Sequence, residues 1–407
     1  MKCGLLGEKL GHSYSPHIHG YLGDYSYSLF EKSSNELERF LRHGDFNGIN
    51  VTIPYKKAVI PFCAELSARA QILGAVNTIV RRTDGTLIGH NTDYFGFYSM
   101  VKKSGLNVAG KKVLVLGSGG ASSTAVAVLK ELDASVFVIS RSGENNYHNL
   151  HIHNDASIIV NTTPVGMYPN VGVSPIDLSM FDRLEGVLDV VYNPSRTQLL
   201  IDAQARGLVA INGLWMLVAQ AKESSEWFSG RTIDDSIIDS IYKKIKSQME
   251  NTVLIGMPGC GKSTIGKLVA QQLQKPFVDA DEVITERAGM PIPQIFAQKG
   301  ESYFRQMESQ VLAELGKQSG LVIATGGGCV TQERNYPFLH QNGTIYWLQR
   351  DLTLLPKDGR PLSQAGSLTL MYHIRCPLYQ KFSDYEICNN TDPVSAADAI
   401  YKKEVFE

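Results

Sequence analysis

The 407-residue sequence predicts an α/β fold that contains more than one domain. Two segments carry this prediction, 112–129 and 253–273, because each places an apolar strand, a glycine-rich turn and a helical pattern in succession. Length is the third observation, since single cores stop growing beyond roughly 250–300 residues. We expect domains over residues 1–100, 101–212 and 251–407, with helices over 213–250 that return to the first domain and form the linker.

Charge and cysteine content narrow the functional classes. Lys plus Arg number 39 and Asp plus Glu number 40, so the formal net charge of −1 leaves no global basic field for nucleic acid or anionic lipid. The six cysteines show no CxxC pair and are typical of free thiols in a reducing cytosol. No apolar run could span a bilayer, and the N-terminus lacks a signal-like apolar region. We expect a soluble, cytoplasmic protein with small-molecule partners, no nucleic-acid or membrane partner, and an oligomeric state that the sequence leaves open.

The glycine-rich turn at residues 256–264 reads GMPGCGKST and separates an apolar strand from a helix. Its glycines let backbone N–H groups converge on a polyphosphate, and the helix N-terminus adds a favourable dipole. Lys262 is expected to reach the β/γ-phosphates and Ser263 to ligate Mg²⁺. A tight turn without ligand is the alternative, which the eight fixed positions disfavour. The predicted nucleotide-binding residues are Gly256, Gly259, Gly261, Lys262, Ser263 and Thr264.

Four short motifs in the first hundred residues carry hydroxyl, amine and carboxylate groups. They read SYSP at 13–16, NVTIPYKK at 50–57, GAVNT at 74–78 and GHNTD at 89–93. The two serines of the first motif can donate together to one carboxylate. Lys56 follows an alternating strand that Pro54 ends, so it can enter a cleft. Taken singly, Lys56 and Asp93 could instead be an exposed ion pair that contributes little.

This set of motifs resembles the substrate domain of the shikimate dehydrogenases, and the resemblance continues to about residue 230. It implies that Ser13 and Ser15 hold the substrate carboxylate, and that Lys56 and Asp93 form the catalytic pair. Reduction of a ketone requires a proton donor near the developing alkoxide, and an ammonium beside a carboxylate is a positioned donor. The resemblance also implies substrate contacts from Thr52, Asn77, Tyr192 and Gln220.

The glycine turn at 117–122 reads GSGGAS and follows a buried strand, as a pyrophosphate site requires. Ser122 stands at the third glycine position of G-x-G-x-x-G, but the turn resembles the G-x-G-G-A variant of the family. An arginine, and no acid, ends the next strand, which favours a 2′-phosphate and therefore NADP. Asn145 occupies the position where the family often has a second arginine. The predicted cofactor residues are Gly117, Gly119, Gly120, Ala121, Ser140, Arg141, Ser142 and, beside the nicotinamide, Gly213.

About fifteen residues separate Arg141 from the strand at 157–160. That length allows one crossover connection but no additional strand and helix. We therefore predict a trimmed Rossmann-like NADP domain that has lost a peripheral strand. His148, His151 and His153 lie in this segment, and a surface loop is favoured over a metal site because no Cys or carboxylate ligand set accompanies them. Residues 232–249 carry apolar side chains at four-residue spacing, which predicts an amphipathic helix with Asp234 and Asp235 in its first turn.

Five further motifs follow the phosphate-binding turn. They are FVDAD at 277–281, GESYFRQME at 300–308, ATGGG at 324–328, GRPL at 359–362 and RCPLY at 375–379. Together they resemble the shikimate kinases, whose P-loop α/β domain is similar to that of nucleoside-monophosphate kinases. The segment between Arg350 and Arg360 is short for the lid of that family.

The second resemblance implies a role for each of these motifs. Asp281 would hold the substrate hydroxyls and orient the nucleophile, and Asp279 would assist Mg²⁺. Arg305 and Arg375 would hold the carboxylate, since guanidinium forks suit carboxylates. Arg360 would be the lid arginine, because phosphoryl transfer requires cations on the equatorial oxygens. The glycines that would let the backbone approach the substrate ring are Gly326, Gly327 and Gly328.

The sequence therefore predicts a bifunctional enzyme that uses NADP(H), ATP and Mg²⁺. One half would reduce 3-dehydroshikimate, and the other would phosphorylate the shikimate produced. Two alternatives stay open. The chain could be a shikimate- or quinate-sensing regulator built from inactive copies of both domains, although such a protein should have lost the catalytic residues. It could also join a quinate/shikimate dehydrogenase to a kinase for another small metabolite.

Overall fold

The computed structural model describes residues 1–11, 13–355 and 368–406. The predicted lid residue Arg360 lies outside these ranges. The chain divides into two compact units. The first comprises Met1–Val165, Ser174–Tyr192 and Asp202–Ile245; the second comprises Gly166–Val173, Asn193–Ile201 and Lys246–Glu407. The division into domains that the sequence predicts remains a prediction.

A six-stranded mixed sheet opens the first unit, in the order β2-β1-β3-β5-β6-β4. Its strands are β1 (Lys2–Gly7), β2 (Ser26–Glu31), β3 (Gly48–Val51), β4 (Glu65–Leu66), β5 (Thr78–Arg81) and β6 (Leu87–His90). Its helices are α1 (Ser15–Gly20), α2 (Ser34–His43), α3 (Ala68–Leu73) and α4 (Asp93–Ser104). Strands β1, β2 and β3 are parallel, whereas β5 is antiparallel to both β3 and β6. The carboxyl ends of β1 and β3 therefore meet at one edge, where Gly7 and Thr52 are neighbours.

The second sheet of this unit is parallel throughout, in the order β11-β10-β9-β7-β8. Its strands are β7 (Lys112–Leu116), β8 (Ser135–Ile139), β9 (Ile158–Asn161), β10 (Gly186–Asp189) and β11 (Val209–Ile211). The helices of this part of the chain are α5 (Gly120–Glu131), α6 (Gln198–Ala205), α7 (Leu214–Ser229) and α8 (Ser236–Met249). Residues 140–157 are all described and contain no strand of this sheet. The predicted loss of a peripheral strand is confirmed, and β8 is left as the sheet edge.

The second unit contains a five-stranded parallel sheet in the order β13-β14-β12-β15-β16. Its strands are β12 (Asn251–Ile255), β13 (Phe277–Asp279), β14 (Val322–Ala324), β15 (Gly343–Gln349) and β16 (Tyr385–Cys388). Its helices are α9 (Lys262–Leu273), α10 (Ala280–Ala288), α11 (Ile292–Lys317), α12 (Asn335–His340), α13 (Leu368–Phe382) and α14 (Pro393–Phe406). Helix α11 contains a kink at Gly300, where φ is +80°.

Each sheet has its own apolar core. Strands β7, β9 and β12 are buried along most of their length, as expected for central parallel strands covered on both faces. The central residues Val113, Val160, Val253 and Ile255 have no exposed surface. Across the described ranges, none of the helices is both long and apolar enough to cross a membrane.

The helix predicted over residues 232–249 is present as α8, but it begins at Ser236. Asp234 Oδ1 accepts a 2.8 Å hydrogen bond from the Ser236 backbone N–H, so Asp234 precedes the helix. Asp239 is the acid of the first turn. The expected placement of Asp234 and Asp235 in that turn is therefore wrong. Asp234 lies before the helix, and from that position its side chain accepts a hydrogen bond from one of the free N–H groups at the helix start. The buried face consists of Ile238, Ile241, Ile245 and Met249.

Arg196 anchors the segment 193–201 to the body of the second unit. Its backbone N–H donates to the Gln341 carbonyl at 2.7 Å, and Nη1 donates to the carbonyls of His340 at 3.0 Å and Gly343 at 3.2 Å. Nη1 also lies 3.8 Å from Oε1 of Glu250, whose side chain is 6% exposed. One side chain thus satisfies two carbonyl groups and a buried carboxylate.

Replacement of Arg196 by alanine should destabilise the second unit by about 1–3 kcal/mol, the cost of leaving buried acceptors without their donor. Differential scanning calorimetry on the full chain measures the effect. Lys381→Ala is the matched control, because Lys381 pairs with Glu333 on an exposed surface and such pairs contribute little. Equal transition temperatures for the two variants would contradict the anchoring role.

Candidate active sites

Lys56 and Asp93, which the sequence predicts to act together, are hydrogen-bonded in the first unit. Lys56 Nζ donates to Asp93 Oδ2 at 2.6 Å, and the two side chains are 30% and 16% exposed. The Lys56 carbonyl accepts from the Val76 N–H at 2.8 Å, which fixes the lysine backbone beside the GAVNT motif. Asp93 is the first residue of α4, where the helix dipole favours its negative charge. The Lys56 ammonium is therefore fixed in position by Asp93 and only partly exposed to solvent.

A buried polar network is centred on Thr92, the residue before Asp93. It contains two of the predicted substrate-contacting residues, Asn77 and Gln220. Asn77 is 3% exposed, and its Oδ1 accepts from the Thr92 backbone N–H at 2.7 Å. The Thr92 hydroxyl donates to Gln220 Oε1 at 3.4 Å and lies 2.9 Å from Ser224 Oγ. Ser224 Oγ also accepts from Asn50 Nδ2 at 2.8 Å. Sequence reasoning missed Ser224, because a serine within an amphipathic helix has no motif to mark it.

The predicted carboxylate-binding serines stand at the start of α1. Ser13 Oγ accepts from the Ser15 backbone N–H at 3.2 Å, and Ser15 is the buried first residue of the helix. Burial, and then the neighbouring Tyr14 hydroxyl, raises the pKa of Tyr192. Tyr192 is therefore close to the serine segment. Thr52 follows β3, and its N–H donates to the Leu6 carbonyl at 2.9 Å.

Glu223 on α7 is a largely buried carboxyl group in the neighbourhood of Asp93. Its Oε2 atom is buried without a hydrogen-bond partner among the residues that the structure describes. Burial, and then the carboxylate of Glu226, raises the pKa of Glu223 to about 8. Asp93 raises this pKa further, whereas Lys222 and Arg69 lower it. Glu223 thus holds a proton near Asp93 at neutral pH.

Titration of Glu223 should make the stability of the first unit pH-dependent. Its pKa is higher in the folded chain than the ordinary value of 4.5, so folding favours the protonated form. This contribution is fully present below pH 4.5 and is lost as the pH rises through about 8. Urea unfolding across this range should show the wild-type chain losing stability relative to Glu223→Gln. Glu185→Gln, at an exposed ion pair, is the control and should follow the wild type; parallel curves for Glu223→Gln and the wild type would contradict the assignment.

The glycine turn after β7 has the geometry of a pyrophosphate site. Gly117 has φ of +105°, and a Cβ atom there would lie 2.9 Å from Thr162 Oγ1. Gly119 caps α5 and Gly120 is its first residue, and both have open space where a Cβ would stand. Ala121 follows in the first turn. The turn thus fits the pyrophosphate of a dinucleotide, with backbone N–H groups at a helix N-terminus.

Gly213 fits closely against the end of the same sheet. A Cβ atom on Gly213 would lie 2.0 Å from the Val190 carbonyl oxygen, so no other residue can occupy this position without a backbone shift. The Gly213 N–H donates to the Val191 carbonyl at 3.0 Å. The backbone of residue 213 is therefore fixed beside the carboxyl end of β10.

The loop after β8 presents Arg141 and Ser142 on the surface. The Ser140 N–H donates to the Asn145 carbonyl at 3.1 Å and closes the loop. Asn145 Oδ1 contacts His153 Nε2 at 3.0 Å, so this side chain is held within the loop. Arg141 is thus the exposed cation of the loop that suits a 2′-phosphate. His153 is buried beside Phe137, and no metal-binding cluster of His, Cys, Asp or Glu is found in the described part of the chain.

The phosphate-binding turn of the second unit has three glycines with positive φ. These angles are 143° at Gly256, 86° at Gly259 and 100° at Gly261. Lys262 Nζ donates to the carbonyls of Gly256 at 2.9 Å and Met257 at 3.1 Å. The lysine therefore folds over its own turn, and Thr264 follows it in the first turn of α9.

Ser263 and Asp279 form a set of oxygen ligands beside the turn. Ser263 Oγ donates to Asp279 Oδ2 at 2.6 Å. The other oxygen, Asp279 Oδ1, accepts from the Asp281 N–H at 3.0 Å and caps α10. Hydroxyl and carboxylate oxygens suit Mg²⁺, so these two residues fit the metal that the resemblance implies.

Arg305 and Glu308 form a buried ion pair in the same unit. Arg305 Nη1 donates to Glu308 Oε2 at 2.8 Å, and the side chains are 7% and 0% exposed. Burial raises the pKa of Glu308, and Arg305 opposes that rise. Glu308 was not predicted, although it lies three residues after Arg305, the spacing of facing helical side chains.

The three glycines of the ATGGG motif make room for the groups around them. A Cβ atom on Gly326 would lie 2.6 Å from Glu308 Oε1 and 3.0 Å from Asp281 Oδ1; one on Gly328 would lie 2.3 Å from Arg305 Nη2. The Gly327 carbonyl accepts from Arg375 Nη1 at 3.0 Å and from the Tyr379 hydroxyl. The three glycines line one cavity of about 1130 Å³, together with Asp281, Arg305, Glu308, Arg375 and the part of the phosphate-binding turn at Pro258, Gly259 and Gly261–Thr264.

The folds and sites together define a protein that joins a dinucleotide-binding, dehydrogenase-type unit to a P-loop, kinase-type unit. A family model described as the shikimate dehydrogenase substrate binding domain matches residues 5–79, and one described as shikimate kinase matches residues 258–404. The chain belongs to the shikimate dehydrogenase family, and its C-terminal part carries a shikimate kinase domain.

Individual relatives support this assignment. Shikimate dehydrogenase (NADP(+)) from Clostridium perfringens strain 13 is 36% identical over 265 residues, covering 60% of this chain and 97% of the relative. The crystal structure of shikimate dehydrogenase 1 from Peptoclostridium difficile is similar, with a TM-score of 0.56, 38% identity, and coverage of 60% and 97% of the two chains. Shikimate 5-dehydrogenase from Thermus thermophilus, solved in complex with NADP(H) and shikimate, has a TM-score of 0.55, 29% identity, and coverage of 60% and 99%.

Proposed function

We propose that this chain is a bifunctional enzyme that reduces 3-dehydroshikimate to shikimate with NADPH and then phosphorylates shikimate with ATP. The observation that carries the proposal is that one polypeptide contains both family matches, each with its charged groups assembled. The two reactions are consecutive in chemistry, because the hydroxyl created by the first is the one phosphorylated by the second.

In the first unit, Lys56 is the proton donor. The residues that would hold NADPH, which would supply the hydride, are the glycine turn at 117–121, Ser140, Arg141, Ser142 and Gly213. The ketone oxygen receives its proton from the Lys56 ammonium, and Asp93, 2.6 Å away, keeps that ammonium in place. Ser13 and Ser15 hold the carboxylate. Hydrogen bonds within the buried network fix the side-chain amides of Asn77 and Gln220.

In the second unit, phosphoryl transfer requires positioning and positive charge rather than covalent chemistry. Arg305 and Arg375 bind the substrate carboxylate, and Asp281 orients the hydroxyl that attacks. Lys262 and the turn glycines bind the nucleotide phosphates. Ser263 and Asp279 would hold Mg²⁺, which would neutralise the phosphate charge. The lid arginine Arg360 belongs to the same proposal.

Both alternatives lack supporting observations. A sensing regulator built from inactive domains has no reason to keep Lys56 bonded to Asp93 or Ser263 bonded to Asp279. A kinase for a different metabolite would not be expected to match the shikimate kinase family over residues 258–404. The six free cysteines favour a reducing compartment such as the cytoplasm as the place of both reactions.

An NADP-linked absorbance assay with shikimate and with quinate, followed by measurement of ATP consumption with each, tests the proposal. Shikimate should support both activities, with NADP preferred over NAD because Arg141 can bind the 2′-phosphate. Activity of the first unit on quinate alone, or ATP consumption that does not depend on shikimate, would contradict the proposed pair of reactions.

A further inference from the structure

We infer that Arg350, which no family motif marks, is a nucleotide-binding residue of the second unit that contacts the polyphosphate of ATP. The inference rests on the proposed kinase function and extends it to one more residue. Arg350 follows directly after β15, at the carboxyl end of a central strand of the parallel sheet. Ligands of open α/β sheets bind outside the carboxyl ends of their strands.

The guanidinium of Arg350 lies beside the phosphate-binding turn. Its Nη1 atom is 3.9 Å from the position that a Cβ atom on Gly261 would occupy. Asn389, which follows β16, reaches the same turn, because its Nδ2 donates to the Cys260 carbonyl at 2.6 Å. The residues after two adjacent strands therefore reach the turn. Asn389 is hydrogen-bonded to the turn, and Arg350 places a positive charge beside it.

Arg350 differs from the other cationic side chains of the cavity because its guanidinium N–H groups have no acceptor among the described residues. Within the described part of the chain, the cationic side chains that line the cavity are Lys262, Arg305, Arg350 and Arg375. Lys262 donates to two carbonyls of the turn, Arg305 to two carboxylates, and Arg375 to the Gly327 carbonyl. Among the residues that the structure describes, Arg350 has no ion pair, and its Nε is buried without a hydrogen-bond partner.

A partly buried guanidinium without an acceptor is costly, and an anion that binds beside it recovers that cost. The anion must enter the cavity at the turn, because Arg350 is adjacent to Gly261 whereas Arg305 is adjacent to Gly328. In the proposed function, the substrate carboxylate is matched by Arg305 and Arg375. The polyphosphate is the anion that this turn is shaped to receive.

The location of Arg350 on a strand end also distinguishes it from a lid residue. Strand β15 is paired on both sides, with β12 and β16, so the backbone before Arg350 is held by two ladders. A cation on such an element is in place before any nucleotide arrives. Arg350 should therefore contribute to nucleotide affinity itself, and its effect should appear in binding as well as in turnover.

The test compares Arg350→Ala, Arg350→Lys and the control Arg287→Ala in the full chain. Arg287 lies on α10 and pairs with Glu314 outside the cavity, so its loss should not change nucleotide binding. Calorimetry with Mg²⁺-ADP, and competition by inorganic tripolyphosphate, give the dissociation constants. Loss of a charged hydrogen bond predicts that Arg350→Ala weakens both ligands by about ten- to hundredfold. Arg350→Lys should recover part of the affinity, and KM for shikimate should stay within about twofold in both variants.

Three results would overturn this inference. Unchanged ADP affinity in Arg350→Ala would show that Arg350 does not contact the nucleotide. Weaker ADP binding with unchanged tripolyphosphate competition would place the guanidinium on the base rather than on the phosphates. A rise in KM for shikimate alone would make Arg350 a carboxylate-binding residue. Failure of the unsubstituted chain to bind ADP would defeat the proposed kinase function as well, so the two failures are distinguishable. If Arg350→Ala does not fold, Arg350→Lys gives the same readout with a smaller shift.

Discussion

Lys56→Ala should lower the NADP-linked oxidation of shikimate by about 10²–10⁴-fold, the usual contribution of a positioned general acid or base. The physical reason is the geometry of the pair, because the Lys56 ammonium is fixed 2.6 Å from Asp93 and is 30% exposed. In the proposed reaction this ammonium protonates the developing alkoxide. Alanine removes the proton donor and leaves Asp93 without its partner. The absorbance of NADPH under saturating shikimate measures the loss, and it should fall on kcat more than on KM.

The neighbouring lysine provides the control for this prediction. Lys57 is exposed, adjacent in sequence and identical in charge, so Lys57→Ala removes the same charge from the same strand end. Lys57→Ala should retain nearly full dehydrogenase activity, and both variants should retain shikimate-dependent ATP consumption. Equal losses in the two variants would show that net charge, rather than the Lys56–Asp93 geometry, governs the reaction.

Lys262→Ala should lower the kinase reaction by about 10²–10³-fold and leave the dehydrogenase intact. Lys262 is 8% exposed, and its ammonium is held by the carbonyls of the turn at which the phosphates would bind. The substitution removes a fixed positive charge that would stabilise the reacting phosphates. Removal of one such electrostatic group typically lowers kcat by about 10²–10³-fold. Shikimate-dependent ADP formation measures the effect.

Lys267 on the same helix serves as the control for Lys262. It is exposed, and its ammonium lies 5.7 Å from the centre of the Phe277 ring, outside the cavity lining. Lys267→Ala should therefore keep kinase activity. Loss of shikimate oxidation in Lys262→Ala would contradict the assignment of the two activities to separate sites.

Sequence reasoning predicted most of the fold because the signals were local. The strand, glycine turn and helix at 112–129 and at 253–273 are present, and the missing strand follows from a connection too short to hold it. The error at α8 was also local. Asp234 and Asp235 were expected in the first turn, and a helix boundary depends on which side chain satisfies the free N–H groups. Spacing alone does not determine that choice.

The sites were predicted where motifs carry the residues and missed where only the fold brings them together. Ser263 and Asp279 are 16 positions apart and were both marked by motifs. Ser224 was not, because its contact with Asn50 joins residues 174 positions apart. Arg350 also escaped, since its relation to Gly261 depends on the packing of β15 beside β12. Residues of this kind need the tertiary structure.

The glycines at 326–328 show what the structure adds to a motif. The sequence explained them as a place where the backbone approaches the substrate ring. The structure adds that Gly328 gives the Arg305 guanidinium its space and that Gly326 faces Glu308 and Asp281. Side chains at these positions would displace the groups that we propose to bind the substrate.

The central claim is that one chain carries out both steps. The most direct measurement supplies the purified chain with 3-dehydroshikimate, NADPH, ATP and Mg²⁺ and follows the phosphorylated product by mass spectrometry. We expect shikimate 3-phosphate to form with equal consumption of NADPH and ATP. Lys56→Ala and Lys262→Ala should each fail alone and succeed when mixed. NADPH consumption without phosphorylated product, or product that forms without NADPH, would contradict the account.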